Sequence, residues 1–124
     1  MQIITTQNAP AAFGHYSQAI SHNGFVFVAG QLPMDPHNPQ APLGDIEHQT
    51  KQTLKNVEAI LKAAGSSLDK VVKATIFITD IGLWPAANKA YGDVFGDHKP
   101  ARSAIPVPAL PKGASIEIEV IAAV

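Results

Sequence analysis

Residues 114–124, ASIEIEVIAAV, carry the clearest strand pattern in the chain. Apolar and acidic side chains alternate with a period of two, which predicts a strand with one apolar face and one charged face. The last residues are then apolar on both faces. The alternating sets are Ile116, Ile118 and Val120 on one face and Glu117 and Glu119 on the other.

The stretch before it, residues 99–113, reads KPARSAIPVPALPKG and contains a second strand-like run, ARSAI. Pro106 and Pro108 follow this run. Because proline has no N–H group for a strand ladder, the connection must lie at a sheet edge or run as an extended coil. If the two strands are close neighbours, Arg102 and Glu117 point into one crevice beside this connection. The alternative is an ordinary solvated ion-pair face, which by composition alone is the commoner arrangement.

The N-terminal third of the chain predicts three strands and a long loop. MQIITT, SQAISHN and GFVFVAG are rich in β-branched and aromatic residues, and the last two are expected to pair across a turn at Asn23-Gly24. Residues 30–44 then hold four prolines and almost no periodicity, which is typical of an irregular surface loop.

The middle of the chain alternates helical and strand patterns. A helix with Gly65 as its C-terminal stop is predicted after the loop, and a second helix from about 83 to 95 begins near Pro85. Between them, DKVVKATIFITD is apolar on both faces, which predicts a central strand. The first helical stripe is Ile46, Thr50, Leu54, Val57, Leu61 and Ala64. The second is Leu83, Ala87, Tyr91, Val94 and Phe95. The two strand faces are Val72, Ala74, Ile76 and Ile78 against Val71, Thr75 and Phe77.

The resulting order is three strands, a helix, a strand, a helix and two strands. It predicts an α+β fold with one mixed sheet and two helices on one of its faces. A chain of 124 residues that is 46% hydrophobic fits a single domain over residues 1–124.

Composition narrows the possible functions. With 15% charged residues and a net charge of -1, the chain has no basic field for nucleic acid or an anionic membrane. The absence of cysteine excludes disulfides, thiolate metal sites and cysteine nucleophiles. The five histidines lack metal-site spacing, and VFVAGQ is not a phosphate loop, so we expect neither a metal nor another cofactor. The N-terminus lacks a signal-peptide pattern and no apolar run is long enough for a membrane span, so we expect a cytoplasmic protein.

Six segments, taken in order, resemble the reactive-intermediate deaminase family, RidA, formerly called YjgF, over essentially the whole chain. They are GHYSQAI, VAGQLP, NVEAILKAAG, VVKATIFITD, NKAY and PARSAIPVPALPKGASIEIEVIA. The resemblance implies a chorismate-mutase-like fold and a homotrimer with ligand clefts between subunits. It also implies hydrolysis of 2-iminobutanoate and 2-iminopropanoate, which arise from enamines, to 2-ketoacids and ammonia.

The resemblance also implies roles for particular residues. Arg102 matches the family's carboxylate-binding arginine, whose planar fork suits a carboxylate. Glu117 matches the catalytic glutamate, a general base for the attacking water. Tyr16, in GHYSQAI, matches a cleft tyrosine that orients the water or the imine. Asn88, in NKAY, matches an asparagine near the cleft.

Gly30 and Ala104 match positions where main-chain groups approach the ligand. The chain departs from the family's archetype at His15, Ala29 and Ala104, and its FGDHKP loop is shorter, so substrate preference stays open.

Other interpretations remain. A non-catalytic trimeric regulator that binds small carboxylates would need Arg102 but not Glu117. Relatives have also been described as ribonucleases or translation inhibitors, although the neutral charge and the lack of a basic-aromatic pattern disfavour RNA binding. Tyr16 is alternatively a core or interface aromatic, and Asn88 a packing amide.

Overall fold

A computed structural model describes the whole chain, residues 1–124. The order of strands and helices is the predicted one. The elements are β1 (Gln2–Ile4), β2 (Ala19–His22), β3 (Phe25–Gln31), α1 (Ile46–Ala63), β4 (Val71–Ile78), α2 (Trp84–Phe95), β5 (Ala101–Pro106) and β6 (Ile116–Ala123), with three single-turn 3-10 helices in the connections. No helix has the length and apolarity that a membrane crossing requires.

The six strands form one mixed sheet in the order β1-β2-β3-β6-β4-β5. Every pair of neighbours is antiparallel except β4 and β5, which are parallel. β4 is an internal strand, as its two-sided apolarity predicted. β5 is an edge strand, so Pro106 costs the sheet no ladder bond. β5 and β6 are not neighbours, because β4 lies between them.

The first hairpin forms where its turn residues predicted it. Asn23 and Gly24 both have positive φ, 51° and 81°. That pair of left-handed residues makes the two-residue turn whose twist matches antiparallel strands. His22 consequently pairs with Phe25, and the rest of β2 and β3 follows in register.

Two helix ends coincide with predicted signals, Gly65 after α1 and Pro85 at the start of α2. Asp45 caps α1 by accepting a hydrogen bond from the His48 N–H at 2.9 Å, and Gly65 follows its last turn with φ of 79°. Pro85 lies in the first turn of α2. The buried faces of both helices share one core with the inward side chains of the sheet. The other sheet face, called the open face below, is not covered by a helix.

One strand prediction was wrong in detail. Alternation placed Val72 on one face with Ala74, Ile76 and Ile78, and Val71 on the other. Val71 is buried with those three residues instead, and Val72 is 44% exposed. The pairing of β4 with β6 shifts register between Val71 and Lys73. An extra residue of this kind, a β-bulge, inverts the alternation of the residues before it.

Candidate functional site

Arg102, the chain's only arginine, lies on β5 opposite Ala74, on the face that the helices cover. Its guanidinium group reaches α2, where Nη1 donates a hydrogen bond to Asn88 Oδ1 at 2.8 Å. The same group lies 5.0 Å from the centroid of the Trp84 ring and 4.9 Å from that of Tyr91. The arginine is therefore held in place by three side chains of one helix.

No carboxylate of the chain neutralises Arg102. The chain's ion pairs all join lysines to acidic residues four positions away on exposed helix surfaces: Lys51 with Glu47, Lys62 with Glu58 and Lys89 with Asp93. Since the partners of Arg102 are an amide and two aromatic rings, its positive charge is available to an external anion. A carboxylate is the anion that best matches the planar guanidinium fork.

Glu117 lies on the open face. It is paired across the sheet with Phe77 of β4 and is half-buried. Its carboxylate has no ion pair and no hydrogen bond in the chain. Burial raises the pKa of Glu117 above its usual range, and the like charge of Glu119 raises it further. A carboxylate with a raised pKa is a better base for taking a proton from water near neutral pH.

Gly30 gives the Glu117 carboxylate its room. A Cβ atom at residue 30 would lie 2.7 Å from Glu117 Oε2 and 2.9 Å from Cδ, closer than real side chains approach. Gly30 has no positive φ, so the backbone conformation itself does not require glycine. A Cβ at residue 30 would force the flexible Glu117 side chain to shift, so the glycine lets the carboxylate lie where it does.

Tyr16 shares one open groove with Glu117 and Gly30. The groove is bounded by the segment 5–13 and by the proline-rich loop 32–43. The Tyr16 side chain is 53% exposed, so the interpretation as a core aromatic is wrong. Tyr16, Gly30 and Glu117, which line this one groove, are called the glutamate half-site.

Two buried amides that the sequence analysis missed fix the walls of this groove. The Gln18 side chain accepts a hydrogen bond from the Thr6 N–H at 2.7 Å and donates to the Pro10 carbonyl at 2.8 Å. Asn56 Nδ2 donates to the carbonyls of Leu32 and Met34 at 2.9 and 2.8 Å. The available signal concerned Asn56 alone: it lies one helical turn before the apolar Ile60 on α1, and a buried amide needs such partners.

The structure places the other predicted residues elsewhere. Ala104 lies on β5 opposite Ile76, on the same side of the sheet as Arg102, and its side chain is exposed. Arg102, Asn88 and Ala104 form the arginine half-site. No cluster of three or more histidine, aspartate or glutamate side chains has the geometry of a metal site.

The two half-sites do not meet within one chain. Arg102 and Glu117 project from opposite faces of the sheet, and β4 separates their strands. The expectation that both point into one crevice from neighbouring strands is therefore wrong for a single chain. The missing information was the sheet order, which places β4 in the gap.

The fold and the half-sites define a single-domain α+β protein with an unpaired arginine and an unpaired, half-buried glutamate. Residues 6–124 match the family model described as Endoribonuclease L-PSP. The chain belongs to this family, the YjgF/RidA family, as the resemblance of its motifs indicated.

Relatives match over almost their whole length. The chain is 46% identical over 121 residues to the 2-iminobutanoate/2-iminopropanoate deaminase of Rattus norvegicus, covering 98% of this chain and 88% of that protein. The crystal structure of YyfA from Yersinia pestis, a Rid-family protein of unknown function, has a TM-score of 0.95 at 51% identity and covers 99% of this chain and 98% of YyfA. The crystal structure of E. coli TdcF with bound serine has a TM-score of 0.95 at 39% identity and covers 100% of this chain and 99% of the TdcF chain. The predicted α+β fold is confirmed.

Proposed function

We propose that the protein is an imine deaminase that hydrolyses 2-iminobutanoate and 2-iminopropanoate to 2-ketoacids and ammonia. The observation that carries the proposal is that the chain's only arginine and a half-buried glutamate both lack a charged partner. The arginine suits the carboxylate of the substrate, and the glutamate suits the water that attacks the C=N carbon. The deaminase name of the rat relative, at 46% identity, supports the same reaction.

Arg102 binds the substrate carboxylate. Asn88 occupies one of the five guanidinium donors, which leaves the others for a two-pronged contact with the ligand. The main chain at Ala104 and at Gly30 borders the ligand. Because arginine keeps its charge at every working pH, this contact selects 2-iminoacids over uncharged imines.

Glu117 moves the protons of the reaction. It takes a proton from water as the water oxygen adds to the C=N carbon, and it returns that proton to the nitrogen to give a carbinolamine. The same carboxylate then removes the hydroxyl proton of the carbinolamine and delivers it to the amine as the C–N bond breaks. The water oxygen becomes the ketone oxygen, and ammonia leaves. The Tyr16 hydroxyl orients the water or the imine.

The complete site forms between two copies of the chain, with Arg102 from one copy and Glu117 from the other. Arg102 and Glu117 lie on opposite faces of one sheet and cannot both contact one small ligand, so each chain contributes one half-site to each of two clefts. The open face carries the exposed aromatic residues Phe25 and Phe27, which a second copy would bury. A homotrimer with one cleft at each subunit boundary satisfies every half-site.

The proposal is tested by ketoacid and ammonia release from imines generated in situ by an amino-acid oxidase with catalase. We expect the wild-type protein to accelerate release above the spontaneous rate. Arg102→Ala should lose both turnover and 2-ketobutanoate binding, whereas Glu117→Gln should lose turnover and keep binding. A folded wild-type protein that accelerates neither imine would refute the deaminase function.

Mixing the two inactive variants tests the shared site. Oligomers of Arg102→Ala and Glu117→Ala are dissociated, mixed and reassembled. A boundary between an intact glutamate of one copy and an intact arginine of the other is then wild type, so a random equal mixture should recover about a quarter of full activity. No recovery in mixed oligomers would mean that each chain builds its site alone.

A second candidate function is a trimeric module that binds small carboxylates and regulates without turnover. The serine bound to the relative TdcF favours it. The two functions differ at Glu117, since a binder needs Arg102 but no base. Loss of ketoacid release in Glu117→Gln, with binding intact, would decide for the enzyme.

A further inference from the structure

We infer that Trp84 and Tyr91 are positioning residues, whose ring faces hold the Arg102 guanidinium in the orientation that receives a carboxylate. The inference rests on the proposed function of Arg102 and extends it. It adds two residues that touch no substrate and act through the arginine.

The arrangement of Arg102 against the rings of Trp84 and Tyr91, called the stack below, depends on the spacing of residues in α2. Trp84, Asn88 and Tyr91 are spaced by four and then three residues, which aligns them along one side of a helix. Arg102 reaches this ridge from β5, with its guanidinium carbon 5.0 Å from one ring centroid and 4.9 Å from the other. Both distances lie within the range of cation–π attraction.

The neutrality of these partners is the functional clue. An exposed arginine loses conformational freedom when it binds a ligand, and that loss weakens binding. An internal carboxylate would immobilise the side chain but would also neutralise it. Two aromatic faces and one amide oxygen immobilise it and leave its charge for the ligand.

Tyr91 contributes its ring rather than its hydroxyl. The residue is 5% exposed, and its ring packs against Phe95 with centroids 4.5 Å apart, which fixes the plane that faces Arg102. The buried hydroxyl has no hydrogen-bond partner. Burial raises the pKa of Tyr91, so the phenol stays neutral beside the arginine. Tyr91→Phe therefore keeps the ring and removes a group that the stack does not use.

Three variants test the inference through affinity for 2-ketobutanoate, measured by calorimetry. Trp84→Leu should raise Kd roughly 2- to 30-fold, the range of one cation–π contact. Trp84→Phe should keep most of the affinity, because a ring face remains, and Tyr91→Phe should keep all of it. In the imine assay, KM should rise in Trp84→Leu while kcat is maintained, since Arg102 holds the carboxylate before and during the reaction.

Thermal unfolding of each variant separates positioning from packing. A Trp84→Leu protein that is less stable but binds with wild-type Kd would overturn the inference, because the indole would then only fill space. Equal weakening in Trp84→Phe and Trp84→Leu would also overturn it. A large loss in Tyr91→Phe would overturn the role given to that ring, because the hydroxyl would be the active group.

A second measurement stays valid if the proposed function fails. Arg102 is the only arginine, so the phenylglyoxal adduct on the peptide that contains it, quantified by mass spectrometry, reports this one side chain. A wild-type protein that neither binds 2-ketobutanoate nor hydrolyses imines would refute the deaminase function but not the stack. Faster modification in Trp84→Leu than in the wild type and Trp84→Phe would then support the stack, and equal rates in all three would overturn it.

Discussion

Gly30→Ala is a small substitution that should impair the site without replacing either proposed catalytic residue. The added methyl group would lie 2.7 Å from Glu117 Oε2. The carboxylate must therefore retreat roughly 0.7 Å to reach an ordinary contact distance of about 3.4 Å. Misplacing a reacting group by about 1 Å costs on the order of 100-fold in rate. We expect kcat for imine hydrolysis to fall about 10- to 100-fold.

The stability of Gly30→Ala should change much less than its rate. Replacing glycine reduces the freedom of the unfolded chain, which stabilises by about 0.4–1 kcal/mol where the backbone permits alanine. Crowding at a packed site destabilises by about 1–3 kcal/mol. The free energy of unfolding should therefore fall by no more than about 2–3 kcal/mol. Circular dichroism and urea unfolding would verify that the variant remains folded.

The matched control is Gly92→Ala. A Cβ at residue 92 meets nothing within 4 Å, and the residue lies inside α2 with no positive φ. Alanine should therefore stabilise the helix by about 1 kcal/mol and leave kcat unchanged. Ketoacid release is measured for both variants under one set of conditions. Wild-type kcat in a folded Gly30→Ala protein would refute the idea that the carboxylate's place above residue 30 sets the rate.

Three further outcomes follow from the same geometry. Because a base must be ionised, kcat/KM should fall as pH drops through the raised pKa of Glu117. Glu119→Gln should move that fall to lower pH by removing a like charge. An unchanged pH profile in Glu119→Gln would contradict the effect of Glu119 on the pKa of Glu117. Because the pKa of Glu117 is raised in the folded state, its charged carboxylate destabilises the fold above the folded-state pKa, and this penalty vanishes below the unfolded-state pKa. Glu117→Gln should therefore raise Tm at about pH 8 but not at about pH 3. An equal gain in Tm at both pH values would point to packing instead. Asn56→Ala should lower the free energy of unfolding, measured in urea, by about 2–3 kcal/mol and speed hydrogen exchange in loop 32–43, because two carbonyls lose their donor. The control Gln52→Ala removes only a partly exposed partner of Asn56 and should change both quantities little.

The elements themselves were predictable because their signals are local. A period of two marked β6, helical spacing from Ile46 to the stop at Gly65 marked α1, and the Asn23-Gly24 turn fixed the first hairpin. The exception was the start of β4, where a bulge reversed Val71 and Val72. A bulge depends on the register with the partner strand, and the sequence of either strand alone does not determine that register.

The candidate site also combines features that the sequence predicts with features that depend on the tertiary structure. The sequence by itself determined the candidate groups: one arginine, an alternating glutamate, a tyrosine and a glycine in motifs that resemble one family. Only the tertiary structure decided which of them lie together in one chain. The sheet order inserts β4 between β5 and β6, so Arg102 and Glu117 face opposite sides, whereas Gly30 meets Glu117 and Arg102 meets Trp84. Local patterns follow from backbone geometry within a few residues, but these contacts depend on non-local strand pairing and helix packing, which belong to the whole chain.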